Sequence, residues 1–245
     1  VKIILKILNV AGLKTDVFGE VSPNPLDSEI LLGKSIYRDG KHDGIIAIGG
    51  GSGMDGGKAI SLIVNNEYNL WEFDNDKSAL KGLKNFPPLI CIPTTSGTGA
   101  ETHSTAMVTD TVLGIKRCVW YPSHRPVVAI LDPELTLDLP KSLTAWTGVD
   151  ALVHAIESYS INSLEPLADA MAIEGLKLIG EYLEKAIEFP YDVNARGGML
   201  IGSCLAGISF TKVLVIPLFV LIQRLSKKTT VMTNCNTITG IATIR

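Results

Sequence analysis

"GGGSGMDGGK", residues 49–58, follows directly on the apolar run Gly44-Ile45-Ile46-Ala47-Ile48, and its reading decides the fold. A short run with no charged position is what a strand buried on both faces shows. The glycines behind it hand the chain to a helix through Lys58 and Ile63. Gly51, Gly53 and Gly56 satisfy G-x-G-x-x-G, which by itself fits a dinucleotide cradle or an ordinary strand-to-helix turn. The chemistry of the stretch suits the first: Gly49, Gly50 and Gly51 admit positive φ and close backbone approach, and the helix start offers N–H groups and a partial positive charge to a pyrophosphate. Ser52 can donate to a phosphate oxygen. Asp55 would repel phosphate, so it aims at a ribose, an amide or a substrate hydroxyl, or simply favours the helix N-terminus.

Outward from this stretch the chain keeps a regular rhythm. Residues 1–10 carry apolar side chains at 3, 4, 7 and 8, which is helical spacing, and Ala11-Gly12-Leu13 stops that helix before a strand around Val17 and Phe18. Ser22-Pro23-Asn24-Pro25 is a turn, and a second helix is predicted from about Leu26 to Arg38. Helix, strand, helix, strand, helix is the order of a parallel α/β sheet. A further strand, Leu89-Ile90-Cys91-Ile92, runs into a loop rich in hydroxyls, with Thr94, Thr95, Ser96 and Thr98. Two such loops at carboxyl ends of neighbouring strands predict a ligand crevice, though a hydroxyl-capped loop would read the same way.

After a strand at residues 127–131 and the Asp132-Pro133 break, helical periods take over. Pro166 opens a helix with an apolar stripe at 172, 176, 179, 183 and 187, and Asp192 can cap another that runs to Phe210. The small residues Gly197, Gly198, Gly202, Ser203, Ala206 and Gly207 on that last helix predict a closely packed neighbour. The boundary between an α/β domain and a helical domain is expected near residue 140.

Composition narrows the partners. With 46% hydrophobic and 19% charged residues and a formal charge of -3, the chain offers no electrostatic footing for nucleic acid or an anionic membrane surface. Cys91, Cys118, Cys204 and Cys235 form no C-x-x-C, so neither a disulfide framework nor a cysteine zinc site is expected, and a reducing cytoplasm is the default setting. Lys6 interrupts the apolar start and no cleavage site follows, so no signal peptide is read. Pro217 and the shortness of the run around it argue against a membrane span.

Asp150 and His154 are spaced i, i+4 in "TGVDALVHAIE", residues 147–157, so on a helix both point the same way. A carboxylate and an imidazole so placed can share a divalent ion or simply pair with each other. Glu157 falls near the same face and could hold the imidazole from behind. His103 and His124 read as surface or loop histidines.

Taken together, "SPNP" at 22–25, "DGIIAIGGGSGMDGGKAI" at 43–60, "CIPTTSGTGAE" at 91–101, "AILDPELTLDLPKSLTAWTGVDALVHAIESY" at 129–159 and "ARGGMLIGSCLAGISF" at 195–210 closely resemble the iron-containing (group III) alcohol dehydrogenase family. The resemblance implies a Rossmann-like parallel-sheet nucleotide-binding α/β domain over residues 1–140, without its first strand. It implies the start of an all-helical metal-binding domain over 141–212. It implies that Gly49, Gly50, Gly51 and Ser52 hold the pyrophosphate of NAD or NADP, with Asp55 near the nicotinamide end and Asn24 close by. Thr94, Thr95 and Thr98 would line the adenosine and ribose side, and Lys116 would reach a ribose hydroxyl. Asp150 and His154 would be two ligands of a catalytic divalent metal, Fe(II) or alternatively Zn(II), acting on a small alcohol or aldehyde in a homo-oligomer. A glycerol-dehydrogenase-like zinc enzyme and a non-catalytic nucleotide-binding remnant are the competing readings.

The resemblance fades beyond Lys212. The family supplies further histidine ligands there, whereas this chain has no histidine after His154 and no Asp or Glu from 213 to 245. Residues 213–245 are therefore expected to be an anomalous tail, from a shifted reading frame or a truncated gene model, and the chain a fragment shortened at both ends.

Overall fold

The computed structural model describes residues 2–78, 80–161, 164–210 and 240–244. They form two compact units. The first gathers the residues up to Ile92, Ser104–Ile130 and the strand Gly240–Ile244; the second gathers Pro93–His103 and the residues from Leu131 to Phe210.

In the first unit, helix α1 (Lys2–Val10), strand β1 (Thr15–Phe18), helix α2 (Asp27–Asp39), strand β2 (Gly44–Gly49) and helix α3 (Gly51–Ile63) follow the predicted order. Every residue of β2 is buried, which explains its unbroken apolar run. α3 packs onto it at Gly57, where a Cβ would come 2.5 Å from that of Ala47. α2 reaches α3 through Gly33, where a Cβ would lie 2.2 Å from the end of Ile60. Small residues at these two points set the helices close to the sheet and to each other.

Strand β3 (Leu89–Pro93), strands β4 (Thr105–Asp110) and β5 (Ile115–Trp120), and the two-residue strand β6 (Val128–Ala129) complete the run along the chain. β4 and β5 form a separate antiparallel hairpin that the residue pattern had not suggested, turned at Gly114 with φ +67. The alternating burial of β4 is its signature. β3 and β6 pair in parallel, as an α/β sheet requires. The order in the main sheet is β1-β7-β2-β3-β6, where β7 is Gly240–Ile244. β7 runs antiparallel to both β1 and β2, with Phe18 opposite Ile241 and Ile45 opposite Thr243. The α/β class stands, with one antiparallel strand from the far end of the chain inside the sheet. Of the expected tail, 213–245, all but 240–244 lies outside the described residues.

The second unit is helical: α4 (Lys141–Ser160), α5 (Pro166–Glu188) and α6 (Val193–Phe210). Pro166 opens α5, and Asp192 caps α6 by accepting from Asn194 N–H at 2.9 Å and Ala195 N–H at 3.1 Å. The core is a cluster of Ala151, Ala155, Ile179, Ala186, Ala195, Met199 and Ala206, with Leu176 and Leu183 of the α5 stripe packed on it. Small side chains dominate because the helices run close. A Cβ on Gly198 would meet the Tyr182 ring at 2.1 Å, and one on Gly202 would sit 3.0 Å from Ile179. The second unit takes in Leu131 onward and the 93–103 loop, while its first α-helix starts at Lys141, beside the boundary expected near 140 from the onset of helical periods. No helix among the described residues is long and apolar enough to cross a membrane.

Candidate functional site

At the end of β2 the chain turns through Gly49, whose φ of +150 is a conformation that side chains rarely adopt. Gly50 is then the N-cap of α3 and, being glycine, caps no N–H group with a side chain. A helix start without a capping side chain fits an anionic group. Asn24 and Ser52 are brought together here: Asn24 N–H donates to Ser52 Oγ at 3.2 Å, with Asn24 at φ +66, a conformation asparagine tolerates.

Asp55 is engaged on both oxygens. Oδ1 pairs with Lys58 Nζ at 2.9 Å, and Oδ2 accepts Met107 N–H at 3.2 Å. Lys58 is fully buried and also donates to the Thr105 carbonyl. The lysine balances the carboxylate's charge, which weakens the repulsion that a bare aspartate would exert on a phosphate at this helix start. Sequence reasoning passed over Lys58; its i, i+3 spacing from Asp55 was the available signal. Lys116 lies on β5 opposite Thr109.

In the second unit, Thr94 and Thr95 are buried, and Thr98 Oγ1 accepts Ala100 N–H at 3.3 Å. A Cβ on Gly97 would lie 2.7 Å from that of Thr147. The hydroxyl-rich loop is thereby seated on α4 about one turn before Asp150. Asp150 and His154 do occupy one face of α4. Oδ2 and Nδ1 are 4.0 Å apart, too far for a hydrogen bond and near enough for one small cation to draw both. Burial pushes the Asp150 carboxyl above the usual carboxylate range, and His154 pulls it back. The Phe210 ring packs on His154 with centroids 4.6 Å apart, giving the imidazole an apolar wall. Glu157 is buried a turn further on. These donors fit a divalent metal in type and spacing. Among the described residues no group of three or more His, Cys, Asp or Glu is placed to hold one.

Of the two histidines read as surface or loop residues, both lie in loops and one is buried. His124 is 2% exposed, so it is a buried residue and not a surface one. His103 is partly buried and bonds through Nε2 to the Gly207 carbonyl at 3.0 Å, tying the loop to α6. The polar neighbours Ser123 and Arg125 on either side of His124 give no sign of its burial.

Comparison with known proteins bears on both units. Residues 1–133 match the family of iron-containing alcohol dehydrogenases, and residues 144–221 match the C-terminal part of the Fe-containing alcohol dehydrogenase family. The NAD-dependent methanol dehydrogenase of Bacillus methanolicus is 38% identical over 207 residues, covering 84% of this chain and 54% of that protein. A 1,3-propanediol oxidoreductase crystal structure superposes with a TM-score of 0.80 at 33% identity, over 84% of this chain and 53% of that one. Sulfoacetaldehyde reductase from Bifidobacterium kashiwanohense, solved with NAD+, superposes with a TM-score of 0.73 at 35% identity, over 78% and 50%. The chain spans about half the length of the curated relatives it matches. By these matches the chain belongs to the iron-containing alcohol dehydrogenase family.

Proposed function

We propose that this member of the iron-containing alcohol dehydrogenase family carries the nicotinamide-binding and part of the metal-binding apparatus of an enzyme that interconverts small alcohols and aldehydes. The observation that carries the reading is the pair Asp150 and His154 on α4, with the hydroxyl loop seated one turn earlier by Gly97 against Thr147. When bound, a divalent ion supplies Lewis acidity to an alcohol oxygen and a nicotinamide supplies the hydride acceptor.

The chain's own residues have separable tasks. Gly49, Gly50 and Gly51 let the pyrophosphate approach the backbone at the start of α3, where N–H groups and the helix dipole favour its charge. Ser52, placed by Asn24 N–H, keeps its hydroxyl hydrogen for a phosphate oxygen. Asp55, held by Lys58 and Met107 N–H, fixes the first turn of α3 and lies near the nicotinamide end. Thr94, Thr95 and Thr98 face the adenosine and ribose side, with Lys116 on a ribose hydroxyl. Asp150 and His154 hold the metal, Fe(II) in preference to Zn(II), and Phe210 keeps water from one side of the imidazole. A cytoplasmic homo-oligomer is part of the same proposal.

Calorimetric titration with NAD, NADH and their phosphorylated forms tests the cofactor assignment. Gly51→Val should abolish measurable binding by blocking backbone approach, and Ser52→Ala should weaken it by roughly tenfold, the loss of one hydrogen bond to a charged group. Equal affinity in the parent and Gly51→Val would overturn the assignment.

A further inference from the structure

The opposite end of the first unit's sheet from Gly49 carries a concavity. Ile45 N–H donates to the Pro88 carbonyl, so the start of β2 lies beside the start of β3, a full strand away from Gly49. A cleft of about 560 Å³ opens there. Its volume falls in the range of about 300–1,000 Å³ typical of small-molecule sites.

The wall is aromatic: Phe86 meets Tyr121 edge-on with centroids 5.4 Å apart and His124 at 4.9 Å. Leu89 adds apolar surface, and Lys84 and Arg125 stand exposed at the rim. Among the described residues no Asp or Glu lines the cleft. His124 is buried to 2% of its surface, yet neither ring nitrogen completes a hydrogen bond, although the Ser104 backbone is near. Burying polar atoms without full partners is unfavourable by a few kcal/mol, so a buried imidazole that lines an open cleft with only the Ser104 backbone beside it keeps hydrogen-bonding capacity for a ligand.

We propose that this cleft binds a small aromatic carboxylate, its ring against Phe86 and Tyr121 and its carboxylate shared between the His124 imidazole and the Arg125 and Lys84 cations. A flat apolar body matches the aromatic walls. The anion matches a rim with two cations and no acid, and a carboxylate suits the planar fork of an arginine better than a spherical ion would. Burial first, and the Lys58 ammonium second, disfavour a cationic His124 ring, so the histidine meets the ligand neutral, with one N–H to donate, while Arg125 and Lys84 supply the charge.

Benzoate, benzamide and inorganic phosphate are the probes, titrated into the full chain labelled with [13C]histidine. The chain has four histidines, and the His124 resonance is assigned by its disappearance in His124→Gln. Benzoate should shift that resonance saturably and leave those of His103 and His154 in place. Benzamide should bind at least about tenfold more weakly, and Arg125→Gln should weaken benzoate by a similar factor while leaving the free His124 resonance unmoved. Phosphate should not compete. No saturable shift with benzoate up to its solubility limit would overturn the proposal. So would equal binding of benzamide, benzoate binding unaffected by both Arg125→Gln and Lys84→Gln, or displacement of benzoate by phosphate. Because the principal readout is on the parent chain, misfolding of a variant leaves the test intact.

Discussion

Gly99 and Gly207 meet backbone to backbone: a Cβ built on Gly207 would lie 2.8 Å from the Cα of Gly99, and one built on Gly99 would lie 2.6 Å from the Cα of Gly207. Gly99 also has φ +59, which side chains resist. The contact presses the hydroxyl loop onto α6. Neither backbone can yield as a flexible side chain would, so Gly207→Ala should destabilise the chain by about 2–3 kcal/mol, the upper range for overpacking. Urea denaturation followed by circular dichroism reads the change. An unaltered midpoint would mean that the loop is free to lift from α6.

Gly180 provides the opposite case on a neighbouring helix. It lies inside α5, and a Cβ there meets nothing within 4 Å. Gly180→Ala should therefore stabilise by roughly 0.5–1 kcal/mol through helix propensity and the lost freedom of the unfolded chain. Comparing it with Gly207→Ala in the same denaturation assay separates glycine as a packing requirement from glycine as an intrinsic weakness. A destabilised Gly180→Ala would contradict the open space seen around it.

Arg196 is a buried cation that serves structure. Its guanidinium donates to the Pro190 carbonyl at 2.8 Å, Thr144 Oγ1 at 2.7 Å and the Leu139 carbonyl at 3.2 Å, joining α6 to the start of α4. Burial lowers its pKa, although not to where a guanidinium deprotonates at neutral pH. Arg196→Met keeps the bulk but strips three acceptors of their donor, at a loss on the order of 3 kcal/mol. Arg196→Lys should recover only part, because one ammonium cannot span the same fork. Equal melting temperatures for parent and Arg196→Met would refute this role.

Much of this was legible in the residues because it rests on local physics. The run at 44–48 announces a doubly buried strand, and Pro166 and Asp192 announce helix starts that appear where they point. The i, i+4 spacing of Asp150 and His154 likewise needs only a helix to bring the pair together. What stayed hidden depends on contacts distant in sequence. The 93–103 loop packs with α4 and α6 through Gly97 and Gly99, whose partners at Thr147 and Gly207 lie far along the chain. Strand β7 enters between β1 and β2 by pairing with residues some two hundred positions away, and no pattern in "GIATI" specifies that neighbour. The burial of the loop residue His124 was hidden for the same reason, its cover coming from Phe86 and Ser104.

That burial gives His124 a consequence for acid stability. Desolvation first, and the Lys58 ammonium second, push its pKa down from 6.5 to about 4, with the Ser104 backbone opposing slightly. Between those values the unfolded chain binds a proton that the folded chain refuses, so stability is full above about pH 6.5 and falls as pH drops towards 4. The loss approaches roughly 3 kcal/mol at its limit. His124→Gln, which cannot titrate, should flatten this part of the profile in denaturation experiments from pH 7 to pH 4. A profile of unchanged slope would show that His124 is protonated in the folded chain.

Metal retention tests the second unit most directly. Catalytic metal sites commonly use about three protein ligands and leave a position open, and a facial iron site needs two histidines and a carboxylate. Here Asp150 and His154 supply two donors from one helix, the described residues place no third beside them, and the sequence has no histidine beyond His154. Most of the coordination sphere is then left to water, so an ion should bind weakly, exchange readily and position an alcohol oxygen poorly. Loaded anaerobically with Fe(II), and separately with Zn(II), the chain should retain well under one equivalent after desalting, and His154→Ala should remove even that. NAD(P)H formation with short primary alcohols and diols should stay near background. Stoichiometric retention, together with turnover abolished by His154→Ala, would demonstrate that another group completes the site and would overturn the expectation.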